Sequence, residues 1–191
     1  MTFTSEMQSF LAPLEALQKL IEKFDNRGVV IGGIASSLLG KTRLTADLDV
    51  MILLSINDIP DLIREAGNAG LEMRIDNADE FARKNRVLLL RHRDSATNID
   101  ITLGNLPFEE EVVERSQLIN IGKISIRLPT VEDLIIMKAV AHRAKDILDI
   151  QGVVDANPDL DKQRIEYWLR QFAEALESPE IWLDVEKLLQ D

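Results

Sequence analysis

The chain has 191 residues, 46% of them hydrophobic, and carries 33 acidic against 22 basic side chains for a formal net charge of -11. That composition excludes a disordered chain, promises a sizeable core and disfavours a surface that gathers nucleic acid overall, although a local basic patch would still serve. With no cysteine, disulfides, thiolate nucleophiles and cysteine zinc sites are excluded and a reducing cytoplasm is expected. No apolar run approaches the roughly 18 to 20 residues of a membrane span, and MTFTSEMQSF lacks the basic-then-apolar order of a signal peptide.

In chain order, Ser5 to Phe24 reads as an amphipathic helix interrupted or restarted at Pro13, and Asn26-Arg27-Gly28 as a stop. VVIGG predicts a short buried strand ending in the pair Gly32-Gly33, and IASSLLG a helix closed by Gly40. LDVMILL is the next strand, and IPDLIREAGNAG a helix ending at Gly70. RVLLLRHR and NIDITLG predict two strands joined by a polar turn from Asp94 to Thr97, and KISIRLP a further strand from Lys123. From Thr130 the pattern TVEDLIIMKAVAHRAKDILDIQGVV predicts one long helix, with Thr130 and Asp133 as a capping box. Asp159 to Gln190 continues helical, with a break at Ser178-Pro179. The expectation is an α+β chain: a core over 1–128 with a small mixed sheet and flanking helices, then a helical region over 129–191.

The chemistry gathers at three carboxylates. Residues i and i+2 of a strand share a face, so Asp47 and Asp49 stand side by side. Two like charges that close repel unless something positive lies between them, and a divalent cation is the obvious candidate. Asp100, between Ile99 and Ile101 in a second strand, needs a partner too, because an unpaired buried charge is costly. Brought together, the three could hold two Mg²⁺ ions, with Mn²⁺ as an alternative. The turn at Gly32 and Gly33 would let the backbone approach a phosphate at a helix N-terminus. Ser36 and Ser37 fit either packing in that helix or a ligand contact.

On an unbroken later helix, Lys138, His142, Lys145 and Asp149 would fall within a stripe about 60° wide, with Asp146 roughly 60° further round. Such a stripe could face a triphosphate or be a solvated face laced with i,i+4 pairs. With two histidines in the chain, a histidine metal site or a Ser-His-Asp triad is not expected. Arg83, Lys84, Arg86, Arg91 and Arg93, with Phe81 nearby, read as a solvated rim or as a phosphate-tracking patch for RNA.

The order of glycine pair, D-x-D strand and later strand Asp resembles the nucleotidyltransferase superfamily of the DNA polymerase β type. GGIASSLLGKTRLTADLDVMI, NIDITLG and RLPTVEDLIIMKAVAHRAKDILDI are similar to the AbiEii and MenT group of nucleotidyltransferase toxins, over about residues 28 to 150. The resemblance implies a nucleotidyltransferase fold and transfer of a nucleotide from an NTP. It implies Asp47, Asp49 and Asp100 as Mg²⁺ ligands, with Asp100 as the third carboxylate and a candidate base. It implies that Lys138 would contact the nucleotide phosphates and that Asp146 would belong to a late acidic motif; by charge, and not by the resemblance, Lys145 and Arg43 would be further cations against the negative charge of an NTP. Many members have Gly-Ser at the turn; here Gly33 offers only backbone, leaving Ser36 or a basic residue to replace the hydroxyl. The acceptor is open between tRNA, a small molecule such as an antibiotic, and a protein, with a cognate antitoxin as an expected partner of a toxin. A non-catalytic binding partner built on the same fold is the remaining alternative.

Overall fold

The computed structural model describes residues 9–41 and 45–190. The chain divides into two compact units, one of residues 1–33 and 44–128 and one of 34–43 and 129–191. Residues 34–41, expected in the core, thus group with the helices.

The first unit is built on a mixed five-stranded sheet. Helix α1 (Leu11–Glu22) buries Leu14, Leu17, Leu20 and Ile21. Pro13 lies in its first turn, where a missing N–H costs no helical hydrogen bond. Then follow β1 (Gly28–Ile31), α2 (Gly32–Leu39), β2 (Asp47–Leu53), a 3₁₀ turn (Ile56–Asp58) and α3 (Ile59–Asn68). After α3 come β3 (Leu71–Met73), α4 (Ala78–Asn85), β4 (Val87–His92) and β5 (Asn98–Gly104). The sheet order is β1-β2-β5-β4-β3. The β2–β5 pair is parallel and the other neighbours are antiparallel. After α5 (Pro107–Arg115), β6 (Gln117–Ile121) and β7 (Ile124–Leu128) form a separate hairpin. Its tight turn is possible because Gly122 adopts a positive φ of 62°.

Short β3, α4, α5 and β6 are not foreseen by the sequence patterns above. Three residues are too few to show a period. QLINI puts an apolar residue, Leu118, on its exposed side, so its sequence does not alternate apolar with polar. In the sheet the core is aliphatic: Leu48, Val50, Met51, Ile52, Leu88, Leu90, Ile99 and Ile101 are all fully buried.

The second unit holds α6 (Val131–Ala141), α7 (Ala144–Ala156), α8 (Lys162–Ala175) and α9 (Glu180–Gln190). The single long helix expected from Thr130 is two helices. His142 takes a left-handed conformation at φ 47° and Arg143 is extended, starting α7 with its backbone N–H on Asp146 Oδ2. This break rotates everything beyond it out of register, so the predicted stripe does not exist. Thr130 does cap α6, accepting from the Asp133 N–H at 3.2 Å, but the Asp133 carboxylate turns to Arg164 at 2.7 Å rather than closing a box. Residues 34–41 join this unit by close approach: a Cβ on Gly40 would lie 2.8 Å from Val153. Asn157 Nδ2 donates to the Leu39 carbonyl at 2.7 Å, and Lys41 pairs with Asp155 at 2.5 Å.

Candidate active site

The site is a row across the sheet. Along β2, Leu48 and Val50 are fully buried while Asp47 and Asp49 emerge on the other face, half-buried. The parallel pairing of β2 with β5 sets Asp49 opposite Asp100 and Asp47 opposite Asn98. Side chains of paired residues on neighbouring strands point to the same side, about 4.8 Å apart, so the register adds Asp100 to the face that Asp47 and Asp49 share by their spacing. Asn98 Nδ2 donates to Asp47 Oδ1 at 3.2 Å, and the Thr45 hydroxyl donates to the Asp47 carbonyl at 3.2 Å.

Gly32 faces these carboxylates. It has φ +64°, and a Cβ built on it would lie 1.9 Å from Asp49 Oδ2. Glycine is required twice over, by the backbone angle and by the carboxylate against its Cα.

On the far side of Asp100 the row ends in a cation. Leu89 pairs with Asp100, and the Arg74 N–H donates to the Leu89 carbonyl at 3.1 Å. From there the Arg74 guanidinium reaches across β4 and meets Asp100 Oδ1 at 2.6 Å. Burial raises the pKa of Asp100; the Arg74 charge and hydrogen bond oppose that shift, and the charges of Asp49 and Asp47 reinforce it. Among the described residues no three acidic or histidine side chains are disposed to hold a cation as they stand. The donor set nevertheless fits a hard divalent ion: carboxylate oxygens from adjacent strands, beside a turn with no side chain in the way. Arg74 and Asn98 both escape a reading by sequence. Asn98 is two residues before Asp100, so the period-2 argument could have found it; Arg74 follows a strand too short to recognise.

The helical unit pairs several of its charged residues with one another. Lys138, expected to contact phosphate, is 5% exposed, and its ammonium donates to Asp146 Oδ1 at 3.1 Å and Asp149 Oδ2 at 2.6 Å. It holds α6 to α7 as a buried ion pair, because the break at His142 folds the two helices together. Asp146 also accepts from Arg143 Nε at 2.5 Å. Burial works against its ionised form, but the hydrogen bonds and charges of Arg143 and Lys138 prevail and hold its pKa below the ordinary value. Lys145 is exposed on the first turn of α7, Ser36 is buried in α2, and His142 Nε2 lies 3.2 Å from Asp184. Arg43 lies outside the described residues. Within the basic group around β4, the side chains of Arg83, Arg86 and Arg91 have protein partners. Arg83 pairs with Asp79, Arg91 pairs with Glu72, and Arg86 donates to the carbonyls of Leu103 and Leu54.

A family profile described as nucleotidyltransferase of unknown function (DUF6036) matches residues 8–169. The chain belongs to that family. Its fold agrees with solved structures at low identity. An antibiotic-resistance factor, ANT(2'')-Ia, is 14% identical with a TM-score of 0.55, over 88% of this chain and 95% of that one. An antigenic nucleotidyltransferase-like protein from Paracoccidioides brasiliensis is 15% identical with a TM-score of 0.53, over 94% of this chain and 92% of that one. No curated protein matches the chain. Among the described residues no helix is long and apolar enough to cross a membrane.

Proposed function

We propose that this nucleotidyltransferase moves a nucleoside monophosphate from an NTP to an acceptor hydroxyl, using divalent cations held by Asp47, Asp49 and Asp100. The observation that carries this reading is the pairing of Asp49 with Asp100 across parallel strands, with Gly32 pressed against the Asp49 carboxylate. In the reaction the acceptor oxygen bonds to the α-phosphorus and the bond from that phosphorus to the bridging α–β oxygen breaks. Pyrophosphate leaves, and the hydroxyl proton passes to a carboxylate, for which Asp100 is the candidate. Bound cations supply charge neutralisation for the triphosphate and a polarised acceptor oxygen. The chain's own work is orientation. Asn98 donates to Asp47, the Gly32 turn packs against the Asp49 carboxylate, and the glycine turn would let a phosphate approach the backbone at the start of α2.

The need for metal follows from charge. At an effective dielectric of about 20, like charges 4 Å apart repel by roughly 4 kcal/mol, and an NTP adds several negative charges to three carboxylates. Isothermal titration with a non-hydrolysable NTP should therefore give tight binding with Mg²⁺ and little without it. Equal affinity in both conditions would overturn the carboxylate site and favour a non-catalytic binding partner.

For the acceptor, the sequence pattern over residues 28 to 150 supports a toxin-like enzyme of the AbiEii and MenT kind, acting in the cytoplasm on tRNA or another cellular acceptor and held in check by a cognate antitoxin. Two observations favour a second reading, transfer to a small hydroxylated molecule such as an antibiotic. The net charge of -11 repels a polyanion such as tRNA, and the fold is shared with an antibiotic-resistance factor. Incubation with each labelled NTP and Mg²⁺, first with total RNA and then with hydroxylated antibiotics, separates them by where the label appears.

A further inference from the structure

The row Asp49–Asp100–Leu89–Arg74 puts the guanidinium on the same carboxylate that the proposed metal site needs. Three facts bear on it. Arg74 is anchored by its own backbone, through the hydrogen bond to Leu89, so its reach to Asp100 is set by the sheet and not by a loose loop. The ion pair is short, at 2.6 Å, and the two side chains are 22% and 33% exposed. Among the described residues no three acidic or histidine side chains are disposed to hold a cation. A carboxylate oxygen that accepts a guanidinium hydrogen bond is a poorer ligand for a hard cation, because both draw on the same negative charge.

We infer that Arg74 is the resident counter-ion of the carboxylate site: it holds Asp100 in the metal-free protein and gives it up to the incoming divalent cation. This rests on the proposed metal site. The exchange has a consequence for the nucleotide. Once released, the guanidinium is a planar donor at the margin of the same row, suited to phosphate oxygens in a way that a point-charge lysine is not. Arg74 would thus disfavour binding of the bare cation and favour the cation arriving with a triphosphate, which offers the displaced guanidinium a new partner. Lys138, committed to Asp146 and Asp149, is not available for that task in this arrangement.

The test is Mn²⁺ binding to the full chain, followed by electron paramagnetic resonance without nucleotide. It compares the parent protein with Arg74→Ala, Arg74→Lys and Asp100→Asn, each first checked for folding by circular dichroism. Removing the competing ion pair should raise Mn²⁺ affinity of Arg74→Ala by about three- to tenfold, with Arg74→Lys in between. With a non-hydrolysable NTP present the order should invert, Arg74→Ala binding the metal–nucleotide pair more weakly than the parent. Unchanged or weaker Mn²⁺ binding by Arg74→Ala alone would overturn the inference and make Arg74 a residue that merely positions Asp100. The underlying metal site has its own control. If the parent binds no Mn²⁺, or Asp100→Asn leaves the affinity unchanged, the carboxylate site itself fails and the counter-ion role falls with it. If Arg74→Ala does not fold, Arg74→Lys alone must show raised Mn²⁺ affinity for the inference to stand.

Discussion

Replacing Lys138 by methionine decides between two uses of that side chain. Methionine keeps much of the apolar stem and removes the ammonium that Asp146 and Asp149 share, at 3.1 and 2.6 Å. All three residues are buried, and removing one partner of a buried ion pair typically costs about 3–5 kcal/mol. Asp146 keeps Arg143 at 2.5 Å, which places the expected loss near the lower end, about 3 kcal/mol. For a chain of this size each kcal/mol moves the midpoint by roughly 2–4 °C, so the melt should fall by about 6–12 °C. Urea denaturation gives the free energy directly. Adding Asp149→Asn should recover part of the loss, since it removes a carboxylate charge that the Lys138 ammonium had offset; the coupling is read from the double-mutant cycle. A Lys138→Met protein that loses NTP binding yet keeps its stability within about 0.5 kcal/mol, the range of ordinary surface changes, would refute the structural role and restore the phosphate contact.

Asp49→Asn should abolish nucleotide transfer while leaving the melting temperature unchanged or slightly raised, because it removes one of two adjacent like charges; labelled-NTP transfer and a thermal melt check both halves. Gly32→Ala should destabilise the fold by about 1–3 kcal/mol, from the strained backbone angle and the clash with Asp49, and should weaken Mn²⁺ binding by displacing that carboxylate. The acid limb of the stability curve tests Asp146. Its folded pKa is depressed below the ordinary carboxylate value, so its contribution is present above the unfolded value and is lost as pH falls through the folded one. Parent stability should therefore fall more steeply below about pH 4 than that of Asp146→Asn, measured by denaturation across that range.

The sequence by itself determined much of the carboxylate face. A strict period of two puts Asp47 and Asp49 together, and the apolar flanks of Asp100 mark a second strand; both facts are local and survive any tertiary arrangement. It also marked the glycine turn, the Thr130 cap and the change to helices after residue 128, because turn and capping chemistry lies within a few residues along the chain. What tertiary structure decided is what lies across space. The parallel register that sets Asp49 against Asp100 comes from strands 51 residues apart. Arg74 reaches Asp100 over an intervening strand, through a three-residue β3 that carries no periodic signal. The family resemblance implied a phosphate contact for Lys138. The left-handed His142 turned the following helix back and buried the ammonium between two carboxylates. A single residue at positive φ leaves no mark in hydrophobic periodicity, yet it changes the partner of every side chain beyond it.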